Sequence, residues 1–166
     1  MKRAFMAVAV AAVFTAASVI PASAPTAGAS AADTFEVSGL EKPGSISIDK
    51  WGIPHIYAQT LYDAFFLQGF NAARDRLFQI DLWRKRGLGE MAKDFGPDYV
   101  EGDRMARAVL FRGDMYREWL AYGSDSNRVP QAFTAGINEY VKMTKADPAL
   151  LPEEFKKLGY QPSLWQ

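Results

Sequence analysis

Hydrophobic and polar positions change period twice along this chain. Residues 35–40, Phe-Glu-Val-Ser-Gly-Leu, alternate and predict a short strand, and Pro43-Gly44 predicts a turn. Ser45-Ile46-Ser47-Ile48-Asp49 alternates with both isoleucines on one face, the pattern of a half-buried strand. Lys50-Trp51-Gly52 supplies a reversal, and Ile53-Pro54-His55-Ile56-Tyr57-Ala58 predicts the returning arm of a hairpin. Pro54 has no N–H for a ladder, so this arm belongs at an edge or begins irregularly.

From Thr60 the period becomes helical. Thr60, with Asp63 three residues on, predicts an N-cap, and Leu61, Phe65, Phe66, Gly69, Phe70 and Ala73 open an apolar stripe wide enough to be buried on more than one side. The pattern runs on through Leu77, Phe78, Ile80, Leu82 and Trp83 to Arg84-Lys85-Arg86. Cations in a last turn followed by Gly87 predict the helix end there, with a short helical piece resuming over 89–95 until Gly96-Pro97. Further helices are predicted over 98–111, 115–122 and 129–146. In the last, Phe133, Ile137, Tyr140, Val141 and Thr144 point inward, and Asn138 and Glu139 outward. Asp147-Pro148 ends it, 152–158 forms one more turn, and 159–162 is extended.

The first thirty residues follow a different grammar. Met1-Lys2-Arg3 is basic, residues 4–32 carry no charge, and small-residue sites occur at 22–24, 27–29 and 29–31. This is the pattern of a secretory signal peptide over 1–31, cut after Ala29 or Ala31, followed by an exported segment over 32–166 with no membrane attachment. Removing Lys2 and Arg3 leaves 17 basic against 19 acidic residues, a net charge of −2. Such a balance points to neither nucleic acid nor an anionic bilayer as partner. The expected location is therefore secreted or periplasmic.

Composition removes several chemistries. With no cysteine there is no disulfide, thiolate nucleophile or zinc-thiolate site, and with one histidine a metal site would have to be built of carboxylates, whose spacing here matches no calcium loop. His55 has no Gly-x-Ser-x-Gly serine to activate and reads as a packed, hydrogen-bonded framework residue. Asp81 with Arg84 and Lys85 falls at i,i+3 and i,i+4, the spacing of a salt-bridged helix. Glu90 with Asp94, and Glu153 with Glu154, are carboxylate pairs of the kind any solvated helix carries. Arg74 and Asp75 lie inside an apolar stretch and, if buried, need partners. The helices over 61–86 carry Phe65, Phe66, Phe70, Leu77, Phe78, Ile80 and Trp83 around most of their circumference, more than a few short helices can cover.

The ordered series GIPHIYA, ARDRLFQIDLWRKRGLGEMAKDFG and GYQPSLWQ strongly resembles the amino-terminal part of the α chain of penicillin acylases (penicillin amidases), over residues 45–165. The resemblance implies an N-terminal-nucleophile hydrolase: an exported precursor cut into α and β chains, with a serine at the start of the β chain using its own α-amino group as base. It implies an α+β fold, part of a four-layer αββα sandwich, in which this segment is mainly helical with an N-terminal hairpin and lies against the β chain. Family members continue beyond the position of Trp165 into a helix lining the acyl pocket, where some also place a carboxylate of a calcium site. No catalytic, substrate-binding or metal residue is therefore expected in this chain, and no cofactor. His55, Arg74, Asp75, Arg76 and Gln79 match the family pattern as framework, with the partners of Arg74 and Asp75 expected on the β chain. The expected activity, hydrolysis of the side-chain amide of β-lactams or other N-acyl compounds, would then belong to a larger protein of which this is an inactive fragment. The alternative expectation is a non-catalytic secreted helical binding module derived from that family.

Overall fold

The structure, a computed structural model, describes residue 35 and residues 37–166; the predicted signal peptide lies outside the described residues. Two antiparallel strands, β1 (Ser45–Ile48) and β2 (Pro54–Tyr57), pair in the register Ile46↔Ile56 and Ser47↔His55. Pro54 opens β2 opposite Ile48, where its missing N–H costs the ladder least. Among the described residues the sheet has only these two strands, so both outer edges are open. The strand expected over 35–40 is not formed. Ser38 there donates through both its backbone N–H and its hydroxyl to Glu139 Oε1, at 3.0 and 2.8 Å, so a side-chain anchor takes the place of a ladder.

Helix α1 (Leu61–Leu88) begins as the sequence predicts. Thr60 Oγ1 accepts from the Asp63 N–H at 3.0 Å, while its hydroxyl donates to Asp63 Oδ2 at 2.8 Å. Asp63 is fully buried because its oxygens also accept from the N–H groups of Glu41 and Lys42. The cap thus staples the segment before the hairpin to the helix. The end comes later than the Arg-Lys-Arg-Gly run suggests: Gly87 stays helical, and the left-handed cap is Gly89 at φ 66°, ψ 48°. There the Gly89 N–H reaches Arg86 O and the Glu90 N–H reaches Lys85 O. At Arg76 the backbone leaves helical geometry (φ −143°, ψ 25°), a kink placed without proline or glycine.

The core is the seam between α1 and α5 (Arg128–Ala146). Phe66, Phe70, Ala73 and Leu77 from α1 meet Ala132, Ile137, Tyr140 and Val141 from α5, all buried. Two glycines let the backbones touch: a Cβ on Gly136 would stand 1.9 Å from Phe66 O, and one on Gly69 would stand 2.0 Å from Phe133 O. Much of the apolar circumference expected to need a second polypeptide is therefore covered by α5.

Between these helices come α2 (Met91–Phe95), a 3₁₀ turn over Pro97–Tyr99, α3 (Val100–Val109) and α4 (Met115–Tyr122). Asp103, the only buried residue of α3, accepts from the Met91 and Ala92 N–H groups at 3.0 and 2.8 Å and so caps α2. Helix α4 buries nothing. After a 3₁₀ turn over Pro148–Leu150, α6 (Glu153–Leu158) sets Phe155 edge-on against Phe78, at 5.5 Å between centroids.

Candidate functional site

His55 is exposed rather than packed; its Nε2 lies 3.3 Å from Asp49 Oδ2 within the same hairpin. Asp49 also accepts from the Trp51 and Ile53 N–H groups, and the Ile53 bond, with smaller contributions from His55 and Trp51, outweighs burial to hold its carboxyl below the usual range. The pair shapes a turn. A position alternating away from Ile56 in a two-stranded hairpin faces solvent, and this corrects the expectation that His55 is packed.

Arg74 and Asp75 are not the buried orphans expected. Arg74 is half-buried, its Nε donates to Asp75 Oδ1 at 2.9 Å, and Asn71 Nδ2 donates to Asp75 Oδ2 at 3.0 Å. Beside the Arg76 kink these two charges satisfy each other at the surface. Neither carboxylate pair forms an acid–base couple: Asp94 binds Lys85, Glu90 stands 3.9 Å from Arg84, and Glu153 pairs with Lys156.

The concentrated electrostatics lie further along α1, at the salt-bridge spacing of Asp81, Arg84 and Lys85. Asp81 is fully buried and Lys85 nearly so. Arg84 Nη2 donates to Asp81 Oδ1 at 3.0 Å, and Lys85 Nζ sits 4.0 Å from Asp81 Oδ2 and 2.6 Å from Asp94 Oδ2. Inside, two carboxylates face two cations, the pairing that lets charges survive burial, and the more exposed Glu90 approaches Arg84 from the rim. The cluster grips the extended segment over 159–165. Lys85 lies over the Tyr160 ring, Arg84 over the Trp165 ring, and Arg84 donates to Ser163 Oγ at 2.6 Å. Asn138 fixes the same segment by bonding both backbone groups of Trp165, and Glu139 takes Ser38; both had been expected to face outward. Their polarity misled the periodicity, because each is spent on a backbone group of another segment.

Two adjoining clefts of about 350 and 370 Å³ share Arg86, Met91 and Tyr99; one is walled by Phe78, Leu82, Trp83 and Phe95, the other by Gly102, Asp103 and Ala106. Their one carboxylate, Asp103, is committed to capping α2, so they can hold apolar matter but offer no nucleophile–base pair. Among the described residues no three His, Asp or Glu side chains converge as a metal site, and no helix is long and apolar enough to cross a membrane.

Apolar surface remains on α3, α4 and the link between them. Met105, Val109, Leu120 and Tyr122 are each about two-thirds exposed or more, and Phe111 and Tyr116 over half. Trp51, Ile53 and Tyr57 of the hairpin, and Trp83, are exposed as well.

Comparison with known proteins places this arrangement in context. Residues 43–166 match the family described as penicillin amidase. The chain is 35% identical over 133 residues to the penicillin acylase 2 proenzyme of Pseudomonas sp. (strain SE83), covering 80% of this chain and 17% of that protein. It is 29% identical over 119 residues to the penicillin G acylase of Escherichia coli, covering 71% and 14%. It is 28% identical over 136 residues to the acyl-homoserine lactone acylase QuiP of Pseudomonas syringae pv. tomato, covering 82% and 16%. Among solved structures, the thermostable penicillin G acylase from Alcaligenes faecalis superposes with a TM-score of 0.69 at 28% identity, over 75% of this chain and 66% of that one. The chain thus spans between 14% and 17% of the length of these curated relatives.

Proposed function

Because this chain belongs to the penicillin amidase family, we propose that it is the amino-terminal, α-chain portion of an exported amidohydrolase. The whole enzyme hydrolyses the side-chain amide of N-acylated substrates, β-lactams or related N-acyl compounds. The observation that carries the reading is the family match itself, which runs unbroken through the hairpin and every helix of the fold. On this reading the nucleophile is a serine at the start of a β chain cut from the same precursor. Its free α-amino group takes the hydroxyl proton as the oxygen attacks the amide carbon. Donors on the β chain hold the tetrahedral oxyanion, the amine leaves, and water releases the acid. Any calcium site, like the acyl pocket, draws its ligands from outside this chain.

What this chain contributes is shape. The open edges of β1 and β2 are suited to extension into a larger sheet, one layer of an αββα sandwich. The apolar outer faces of α3 and α4 are suited to burial against the β chain. Residues 1–31 act as the export signal.

The test has two arms. Reading the gene beyond Gln166 should find an open frame reaching a serine at a processing site. Expression of that longer product should yield two chains that release amine from phenylacetyl amides, glutaryl amides or acyl-homoserine lactones, while residues 32–166 alone release none. Amide hydrolysis by the 166-residue chain alone would overturn the reading. So would a longer, processed product inert toward all three classes, an outcome that would favour the binding-module alternative.

A further inference from the structure

Five buried side-chain atoms lack a hydrogen-bond partner among the described residues, and four of them belong to one neighbourhood: Asp81 Oδ2, Arg84 Nε, Tyr160 OH and Trp165 Nε1. These residues are tied together by the contacts already described. Arg84 bonds Asp81 and lies over Trp165; Lys85, beside Asp81, lies over Tyr160. Burial first, and then the negative charges of Asp81 and Asp94, push the Tyr160 phenol well up, so it keeps its proton. A buried polar atom left unpaired is costly, and native proteins carry few of them. Four on residues that one set of contacts ties together can share a partner.

The chemistry of the four identifies that partner. Arg84 Nε and Trp165 Nε1 can only donate, Asp81 Oδ2 can only accept, and the Tyr160 hydroxyl can do either. An ion is disfavoured, because Arg84 and Lys85 are already met by Asp81 and Asp94, with Glu90 at the rim, and the four atoms mix donors with an acceptor. A water molecule accepts twice and donates twice. It can take the Arg84 and Trp165 protons and give its own to Asp81 and the Tyr160 oxygen, leaving each of the four atoms engaged.

We infer that Asp81, Arg84, Tyr160 and Trp165 enclose a single ordered water, an internal hydration site that locks the extended segment over 159–165 onto the C-terminal half of α1. Asn138 holds Trp165, and Arg84 holds Ser163, by direct bonds. The water adds a second tie between the segment and the charge cluster, through Tyr160 and Trp165.

The test is a high-resolution crystal structure of the full chain, combined with hydrogen exchange at the Trp165 backbone amide, whose N–H donates to Asn138 Oδ1 at 2.7 Å and so reports opening of the segment. The expected result is a density peak roughly 2.7–3.2 Å from Arg84 Nε, Trp165 Nε1 and Asp81 Oδ2. Trp165→Phe and Tyr160→Phe should each speed exchange at that amide about tenfold. Amides in the α1–α5 core, at Ile137 and Val141, should stay unchanged. The double variant should exchange no faster than the faster single variant, since one shared water is lost only once. A site without density, a direct bond from Tyr160 OH to Asp81 Oδ2, or single-variant rates within about twofold of the parent would overturn the proposal. Rates that multiply in the double variant would overturn it too.

Discussion

The crossing of α1 and α5 sets the sharpest quantitative expectation. In Gly136→Ala the new methyl begins 1.9 Å from Phe66 O and 2.7 Å from the Phe70 N–H nitrogen, both backbone atoms that cannot swing aside. To restore an ordinary contact of 3.4 Å the helices must part by about 1.5 Å at this point. A radial gap of ~0.5–1 Å already forfeits a quarter to a half of the dispersion well. The gap would run along Phe66, Phe70, Ile137 and Val141, each almost fully buried. Overpacking of this kind costs about 3 kcal/mol, the upper end of its usual range, and alanine returns about 1 kcal/mol through helix propensity. The net expectation is a loss of about 2 kcal/mol, a large share of the stability of a domain this size. Gly102→Ala is the control. That glycine sits within α3 with nothing inside 4 Å of a new methyl, so only the propensity acts and stability rises by roughly 0.5–1 kcal/mol. Urea unfolding of residues 32–166, followed by tryptophan fluorescence, measures both. A Gly136→Ala chain as stable as its parent would refute the idea that backbone contact holds this seam.

Three other substitutions probe the polar anchors and the bare surface. Asp81→Ala leaves Arg84 without its buried carboxylate and should cost roughly 3–5 kcal/mol in the same unfolding assay, and a loss under ~1 kcal/mol would show the cluster contributes little. Burial raises the Glu139 carboxyl, but bonds from Ser38 and Lys142 more than offset it and hold it below the usual range. Its contribution is therefore complete above the ordinary glutamate range and is lost as pH falls through the depressed folded value. The stability gap between the parent and Glu139→Gln should accordingly be about 1–2 kcal/mol near neutrality and close on acidification, and a pH-independent gap would contradict this. Leu120→Ser should leave unfolding within ~0.5 kcal/mol of the parent, yet weaken co-purification with the rest of the precursor; an unfolding penalty above ~1 kcal/mol would mean α4 is packed.

The elements were legible where local chemistry decides them. Thr60 and Asp63 mark the start of α1 in sequence and in space, and the hairpin follows from Ile46, Ile48 and the Lys50-Trp51-Gly52 reversal. What stayed hidden depends on pairs distant in sequence. Nothing near Gly136 announces that Phe66 lies against it, and nothing around Glu139 announces Ser38, 101 residues away. The spacing of Asp81 and Lys85 marked a salt-bridged helix but could not say that Asp94 and Tyr160 fold over them. The expectation that a second polypeptide must cover the helices over 61–86 missed α5, which covers much of α1, while the bare surface sits mainly on α3 and α4. Of the charge cluster the sequence showed the i,i+3 and i,i+4 spacing of Asp81, Arg84 and Lys85, and nothing of its burial.

That α4 contributes no residue to the interior has a consequence for how such a chain can change. Selection for folding scarcely reads those eight positions; if α4 docks on the β chain as proposed, selection for assembly reads them instead. Drift in Tyr116, Leu120 or Tyr122 would retune what this arm adheres to and leave the α1–α5 framework as firm as before. Allegiance and robustness are written on different letters, free to evolve on separate clocks.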